Sequence, residues 1–159
     1  MKTNAARYLD SLNIAYELRD YALDSEEFSA VLVAEKVGLP PEQVFKTLVC
    51  ATSDKEHVFA VIPGNTELDF KKLAAATGAR KAEMISLKDI QPLTGYIRGG
   101  VTVFGAKKSF PVYVDETIEL FDVVSVSAGI KGTQIVLAPA DYIRAADATL
   151  APLTKESAL

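Results

Sequence analysis

The two side chains that carry most enzymatic chemistry are almost missing from this chain. Its 159 residues hold one cysteine, Cys50, and one histidine, His57. A lone thiol excludes an internal disulfide and suits a reducing compartment. A lone imidazole in a hairpin turn gives little support to a Ser-His triad, and no Cys/His cluster has zinc spacing. Long apolar runs are absent too, since none approaches the ~18 residues that cross a bilayer. Arg7 and Asp10 interrupt the first ten residues, which therefore do not read as a signal peptide. There is no repeat and no low-complexity tract. These absences point to a cytoplasmic protein with no cofactor, no metal and no membrane partner.

What remains is ordinary globular material: 49% apolar and 24% charged residues. The length suffices to bury a core, and no composition shift divides residues 1–159, so one domain is expected.

Stock motifs fail on inspection. Gly100 and Gly105 stand at P-loop spacing, but the lysine comes one place late, at Lys107, and "SFPVYV" after it is strand-like. Ser127 lies in "VSAGIKG", not in a G-x-S-x-G elbow. Cys50 reads as a small buried hydrophobe.

Periodicity assigns the elements. Ala5, Tyr8, Leu9 and Leu12 fall at i, i+3, i+4 and i+7, predicting a helix over 4–12. Tyr16, Leu18 and Tyr21 follow in an extended segment. Asp24 and Glu27 have capping-box spacing before a helix that stops at Gly38. Residues 44–51 and "HVFAVIP" read as a hairpin joined by "TSDKE". "ELDFKKLAAATG" is a short helix ending at Gly78, and another is expected near Ser86. Glycines break the β-type residues of 94–115 into loops or bulged strands. "FDVVSVSAG" and "TQIVLA" form two late strands, and "PADYIRAAD" a terminal helix. The sum is an α+β domain with a mixed sheet flanked by helices.

One residue resists this scheme. In the strand at 44–51, Val44, Lys46, Leu48 and Cys50 share one face, while Phe45, Thr47, Val49 and Ala51 share the other. Both faces are otherwise apolar or small, as in a covered central strand. Lys46 either lies at the strand's mouth with its head in water or projects into a cleft, where it binds an anion or acts with a lowered pKa. The loops "GYIRGG" (95–100) and "SAGIKG" (127–132) leave a parallel choice, between backbone amides lining a pocket and simple tight turns.

Charge is uneven as well. Residues 71–108 contain eight basic and two acidic side chains, a net of +6 within a chain of −4. Such a segment suits a phosphate-rich partner, or is an ordinary solvated surface.

Four blocks then carry a resemblance: "VFKTLV" (44–49), "LDFKKLAAATGARKAEM" (68–84), "TGYIRGGVTVFGAKK" (94–108) and "VSAGIKG" (126–132). In this order they resemble the YbaK/EbsC family of bacterial aminoacyl-tRNA deacylases, related to the editing domain of prolyl-tRNA synthetase. The nearest likeness is to its Cys-tRNA(Pro) deacylase branch. The resemblance implies a mixed, partly barrel-like sheet with helices around it, and a site for the aminoacylated 3′ end of tRNA. It implies Lys46 and Tyr21 as catalytic residues. Ser127, Gly129, Gly95, Tyr96, Gly99 and Gly100 would bind substrate. Lys71, Lys72, Arg80, Lys81, Arg98, Lys107 and Lys108 become candidates for phosphate contacts, and prolyl- or cysteinyl-tRNA synthetase a candidate partner. The substrate's own thiol would attack the ester, so the protein needs no nucleophile. Clearance of Ala-tRNA(Pro) or another small aminoacyl-tRNA by a bound water, and a non-catalytic tRNA- or nucleotide-binding module, remain as alternatives. Two positions depart from the family pattern: Val103, where proline is frequent, and Ala128, where glycine is common.

Overall fold

A computed structural model describes residues 2–23 and 29–156. Its helices are α1 (Asn4–Ser11), α2 (Ala30–Val37), α3 (Phe70–Thr77), α4 (Leu87–Thr94) and α5 (Pro139–Ala146). Its strands are β1 (Glu17–Asp20), β2 (Phe45–Thr52), β3 (His57–Pro63), β4 (Ala82–Met84), β5 (Val112–Asp115), β6 (Val124–Ser127), β7 (Thr133–Leu137) and β8 (Thr149–Ala151).

The α+β class and the mixed pairing agree with the sequence reading, but the strands lie in two sheets and do not close into a barrel. One sheet has the order β1-β7-β6 and the other β4-β2-β3-β5-β8. β2 and β3 form the expected antiparallel hairpin, whereas β3–β5 and β5–β8 are parallel. The helix α5 is not terminal: β8 follows it. Three residues without a distinctive pattern became a strand because the edge of β5 was open to them.

The helix ends follow local chemistry. Gly38, Gly78 and Gly95 close α2, α3 and α4 in the left-handed conformation. Ser29 caps α2 by accepting a hydrogen bond from Leu32 N–H; the Asp24–Glu27 capping box lies outside the described residues. Asp69 caps α3 through the N–H groups of Lys71 and Lys72.

The alternation along β2 divides the interior. Phe45 and Val49 enter the main core with Phe59, Val61, Leu9 of α1, Ile90 of α4 and Tyr142 of α5. Cys50 enters a second cluster with Ile62 and Leu73 of α3, and Leu48 packs beside it. Val44 meets Val33, Ala34 and Val37 of α2. Helices therefore cover both faces of β2, as a near-continuous apolar strand demands.

Gly64, just after β3, sets how closely α2 approaches. Its N–H donates to Val44 O at 2.7 Å, and a Cβ built there would stand 2.5 Å from Ala30 Cβ and 2.8 Å from Val44 O. Only a residue without a side chain fits. Gly64→Ala is expected to cost ~1–3 kcal/mol through forced displacement of α2, measurable as a lowered midpoint in chemical denaturation.

Candidate active site

The site is built by a strand edge that loses its neighbours. In an antiparallel ladder, alternate residues exchange hydrogen bonds with one partner and turn the next residue's groups outward. Gly64 N–H donates to Val44 O and Thr52 N–H to Glu56 O, so the even residues of β2 are bonded to β3. The odd residues face the other way. There, β4 pairs only with Cys50, Ala51 and Thr52, with Ile85 N–H reaching Val49 O at 3.2 Å. Continuing that register would place Leu87 opposite Thr47, but Leu87 already begins α4. At the opposite end, a single parallel bridge joins Val44 to Ser125 of β6, and then the strands diverge.

A cavity of about 450 Å³ opens in this wedge, lined by Phe45–Val49 of β2 and Ser127 and Gln134 of the other sheet. Ser29 and Ala30 of the α2 entrance, Gly64, Leu87 and Ile90 of α4, and Arg98–Gly99 also contribute. β6 obeys the same alternation: Ala128 N–H donates to Thr133 O, so the peptide groups of Ser127 point away from β7, toward the wedge.

Lys46 lines this cavity, half-buried, its Nζ 3.4 Å from Gly64 O. Burial holds its amine below the usual lysine range, and the Glu67 carboxylate pulls it part of the way back. The two positions left open by the sequence thus merge: the amine is at the strand's mouth and in a cleft.

The glycine loops meet each other. A Cβ on Gly100 would lie 3.3 Å from Ile130 Cα, and one on Gly129 2.9 Å from the Tyr96 ring. Gly129 itself has φ +99°, and its N–H donates to Ser127 Oγ at 3.1 Å. Tyr96 is buried, with its hydroxyl donating to Phe104 O at 2.6 Å. Gly95 closes α4. Of the expected substrate-binding residues, Ser127 and Gly99 line the cavity, while Gly129 and Gly100 lie against each other's loops and do not line it. Gly95 and Tyr96 do not line it either.

Tyr21 also stays off the lining. Its ring packs against the α2 cluster, whose Val33 and Val44 line the cavity in its place. Its buried hydroxyl has no hydrogen-bond partner among the described residues. Of the seven candidate phosphate contacts, only Arg98 borders the cavity. Lys72 donates instead to Thr154 O at 2.7 Å. Lys71, Arg80, Lys81, Lys107 and Lys108 are exposed elsewhere. Ala128 is fully buried in the main core and does not narrow the cavity, and Val103 packs against the same core.

Sequence reasoning passed over Gly64, Thr47, Gln134 and Leu87. A signal existed for Gln134, a polar residue inside "TQIVLA", whose side chain is buried and accepts from Ser125 Oγ at 2.7 Å. Among the described lining residues there is no carboxylate, imidazole or thiol. Cys50 is buried elsewhere, its thiol pushed up to about 12 by burial, and His57 packs against Phe110.

An α+β domain with a lysine-bearing cleft between two sheets defines a class, and the comparisons identify it. The aminoacyl-tRNA editing domain family matches residues 25–145, and this chain belongs to that family. It is 43% identical to EbsC of Enterococcus faecalis, assigned as a Cys-tRNA(Pro)/Cys-tRNA(Cys) deacylase, over 96% of this chain and 93% of that one. It is 29% identical to the multifunctional Ser/Thr-tRNA deacylase ProXp-y of Escherichia coli K12, over 74% of this chain and 73% of the other. A solved structure assigned as a trans-editing enzyme for prolyl tRNA synthetase superposes with a TM-score of 0.85 at 20% identity. It covers 98% of this chain and 100% of its own, which establishes the shared fold.

Because burial lowers the folded-state value of Lys46, its charge opposes folding at every pH below that value. The penalty fades as pH rises toward the unfolded lysine's range. Lys46→Met is therefore expected to leave stability at pH 7 unchanged or raised, with the difference from wild type shrinking at alkaline pH. Denaturant titrations at both pH values measure it.

Proposed function

We propose that this protein, as one domain over residues 1–159, is a trans-editing deacylase that clears Cys-tRNA(Pro). The observation that carries the reading is a cleft with one amine, hydroxyls and backbone amides, and no carboxylate, imidazole or thiol among its described lining residues. Activation of a water by the protein most often uses an imidazole or a carboxylate. A cysteinyl ester brings its own nucleophile: the thiol attacks the ester carbonyl, the C–O bond to the ribose breaks, and the thiol proton passes to the leaving oxygen. The product is a thiolactone. The protein then supplies position and charge stabilisation.

Lys46 serves as that charge, beside the ester or the terminal phosphate. Ser127 and Gly99 contact the aminoacyl group, with Gly129 and Gly100 shaping the wall. Tyr21, packed with Val33 and Val44 of the lining, acts as a positioning residue and does not touch the substrate. Arg98 at the cavity border meets the phosphates of the 3′ end, with the exposed Lys107 and Lys108 of the same segment as secondary contacts. A prolyl- or cysteinyl-tRNA synthetase supplies the tRNA selectivity. The similarity to EbsC favours cysteine as the amino acid.

Deacylation of Cys-, Ala- and Pro-charged tRNA, assayed side by side, decides the reaction. Cysteine alone should be cleared rapidly, and Lys46→Ala should slow it by ~100-fold, the equivalent of ~3 kcal/mol of transition-state stabilisation. Alanine released as fast as cysteine would exclude the thiol route. Arg98→Gln should weaken tRNA binding and reduce the slope of log K against log salt by roughly one.

A further inference from the structure

Thr47 is where β2 lacks a partner on its outer side. The register with β4 would put Leu87 opposite it, and Leu87 is in a helix. The parallel register set by Val44 and Ser125 would bring in Ser127, and β6 has diverged by then. Its position in the ladder turns both its N–H and its C=O outward, and Thr47 lines the cavity. Among the described residues, neither strand pairs with it on that side. A donor and an acceptor are thus presented together, at strand spacing, to whatever fills the wedge.

An extended amino acid offers the matching pair. Its α-nitrogen and carbonyl oxygen lie on the same edge, which is why two opposed residues in an antiparallel ladder exchange two hydrogen bonds. We propose that the aminoacyl group docks on Thr47 as a missing strand neighbour would. The α-ammonium donates to Thr47 C=O, and the ester carbonyl oxygen accepts from Thr47 N–H. This rests on the deacylase reading and extends it to substrate class: the site takes esters of amino acids with a free α-ammonium. Peptidyl, formylated and other N-acylated esters are refused, because acylation removes the charge and adds bulk against the strand edge. The N–H also meets the oxygen on which negative charge develops, so the same contact strengthens in the transition state.

Backbone carries this recognition, which explains why the cavity needs no acidic side chain to hold an ammonium. Lys46 next door is not in conflict. Its own peptide groups are committed to β3, and its amine is drawn toward Gly64 O.

The test uses RNA minihelices ending in a non-hydrolysable 3′-amide, carrying L-cysteinyl, N-acetyl-L-cysteinyl or 3-mercaptopropionyl groups. The last keeps the thiol and lacks the ammonium. Calorimetry should find the desamino and acetylated forms about 10- to 100-fold weaker than the cysteinyl form, the worth of a hydrogen bond to a charged group. In 15N-resolved NMR spectra the Thr47 amide proton should move downfield with the cysteinyl form. Equal affinities, no binding by any of the three, or a Thr47 amide unmoved while Ser127 and Gly99 respond would each overturn the proposal. If the cysteinyl amide binds as described while Cys-tRNA is not cleaved, the contact stands and the deacylase reading falls. Thr47→Pro deletes the N–H without removing a bond to β3. It should lower kcat by ~100-fold with little change in KM, and a cooperatively folded variant with full kcat would count against the contact.

Discussion

One edge of one strand governs this molecule. β2 is bonded to β3 along its whole length, but on its other side, among the described residues, it has a single bridge to β6 at Val44 and no strand partner again until Cys50. Strand groups left without partners cost free energy unless something polar meets them. A sheet that continued through Thr47 would have no cavity, and one that ended at Val44 would not join the two sheets. The split between the sheets and the site between them are therefore the same feature.

That arrangement places Lys46 by default. A strand residue beside an open edge has its side chain near the opening, and the stem can lie along apolar wall while the head reaches polar groups. Partial burial lowers the amine's affinity for its proton, and Glu67 limits the effect. Close approach around it is secured by residues without side chains: Gly64 lets α2 sit against Val44, and Gly100 lets one loop lie on Gly129 and Ile130. These contacts are close-packed, which leaves little room for adjustment. A reaction in which the substrate supplies the attacking atom suits such a rigid site, since orientation is then the main requirement.

Much of this was legible in the residues. The hairpin of β2 and β3, the stop of α3 at Gly78 and the pairing of β6 with β7 follow from alternation and turn chemistry. The four motif blocks led to the family, and Lys46, Ser127 and Gly99 prove to line one cavity. Other expectations met competing constraints. Tyr96 looked like a pocket residue, yet its hydroxyl is used by Phe104 O. Lys72 looked like a phosphate ligand, yet its amine is taken by Thr154 O. A run of positive charge in sequence says how many cations a segment has, not which way a helix turns them. β8 escaped notice because three residues carry too little periodicity to signal a strand.

By itself the sequence determined which residues face the same way, where helices end and which motif blocks the chain carries, because these depend on spacing and side-chain type along a local backbone. Tertiary structure decided the remainder: that β6 leaves β2 after one bridge, that residue 87 starts a helix where a strand would have continued, and that Thr47 is left with both peptide groups turned toward a cavity. Those outcomes depend on distances between segments far apart in the chain, and no local pattern encodes them.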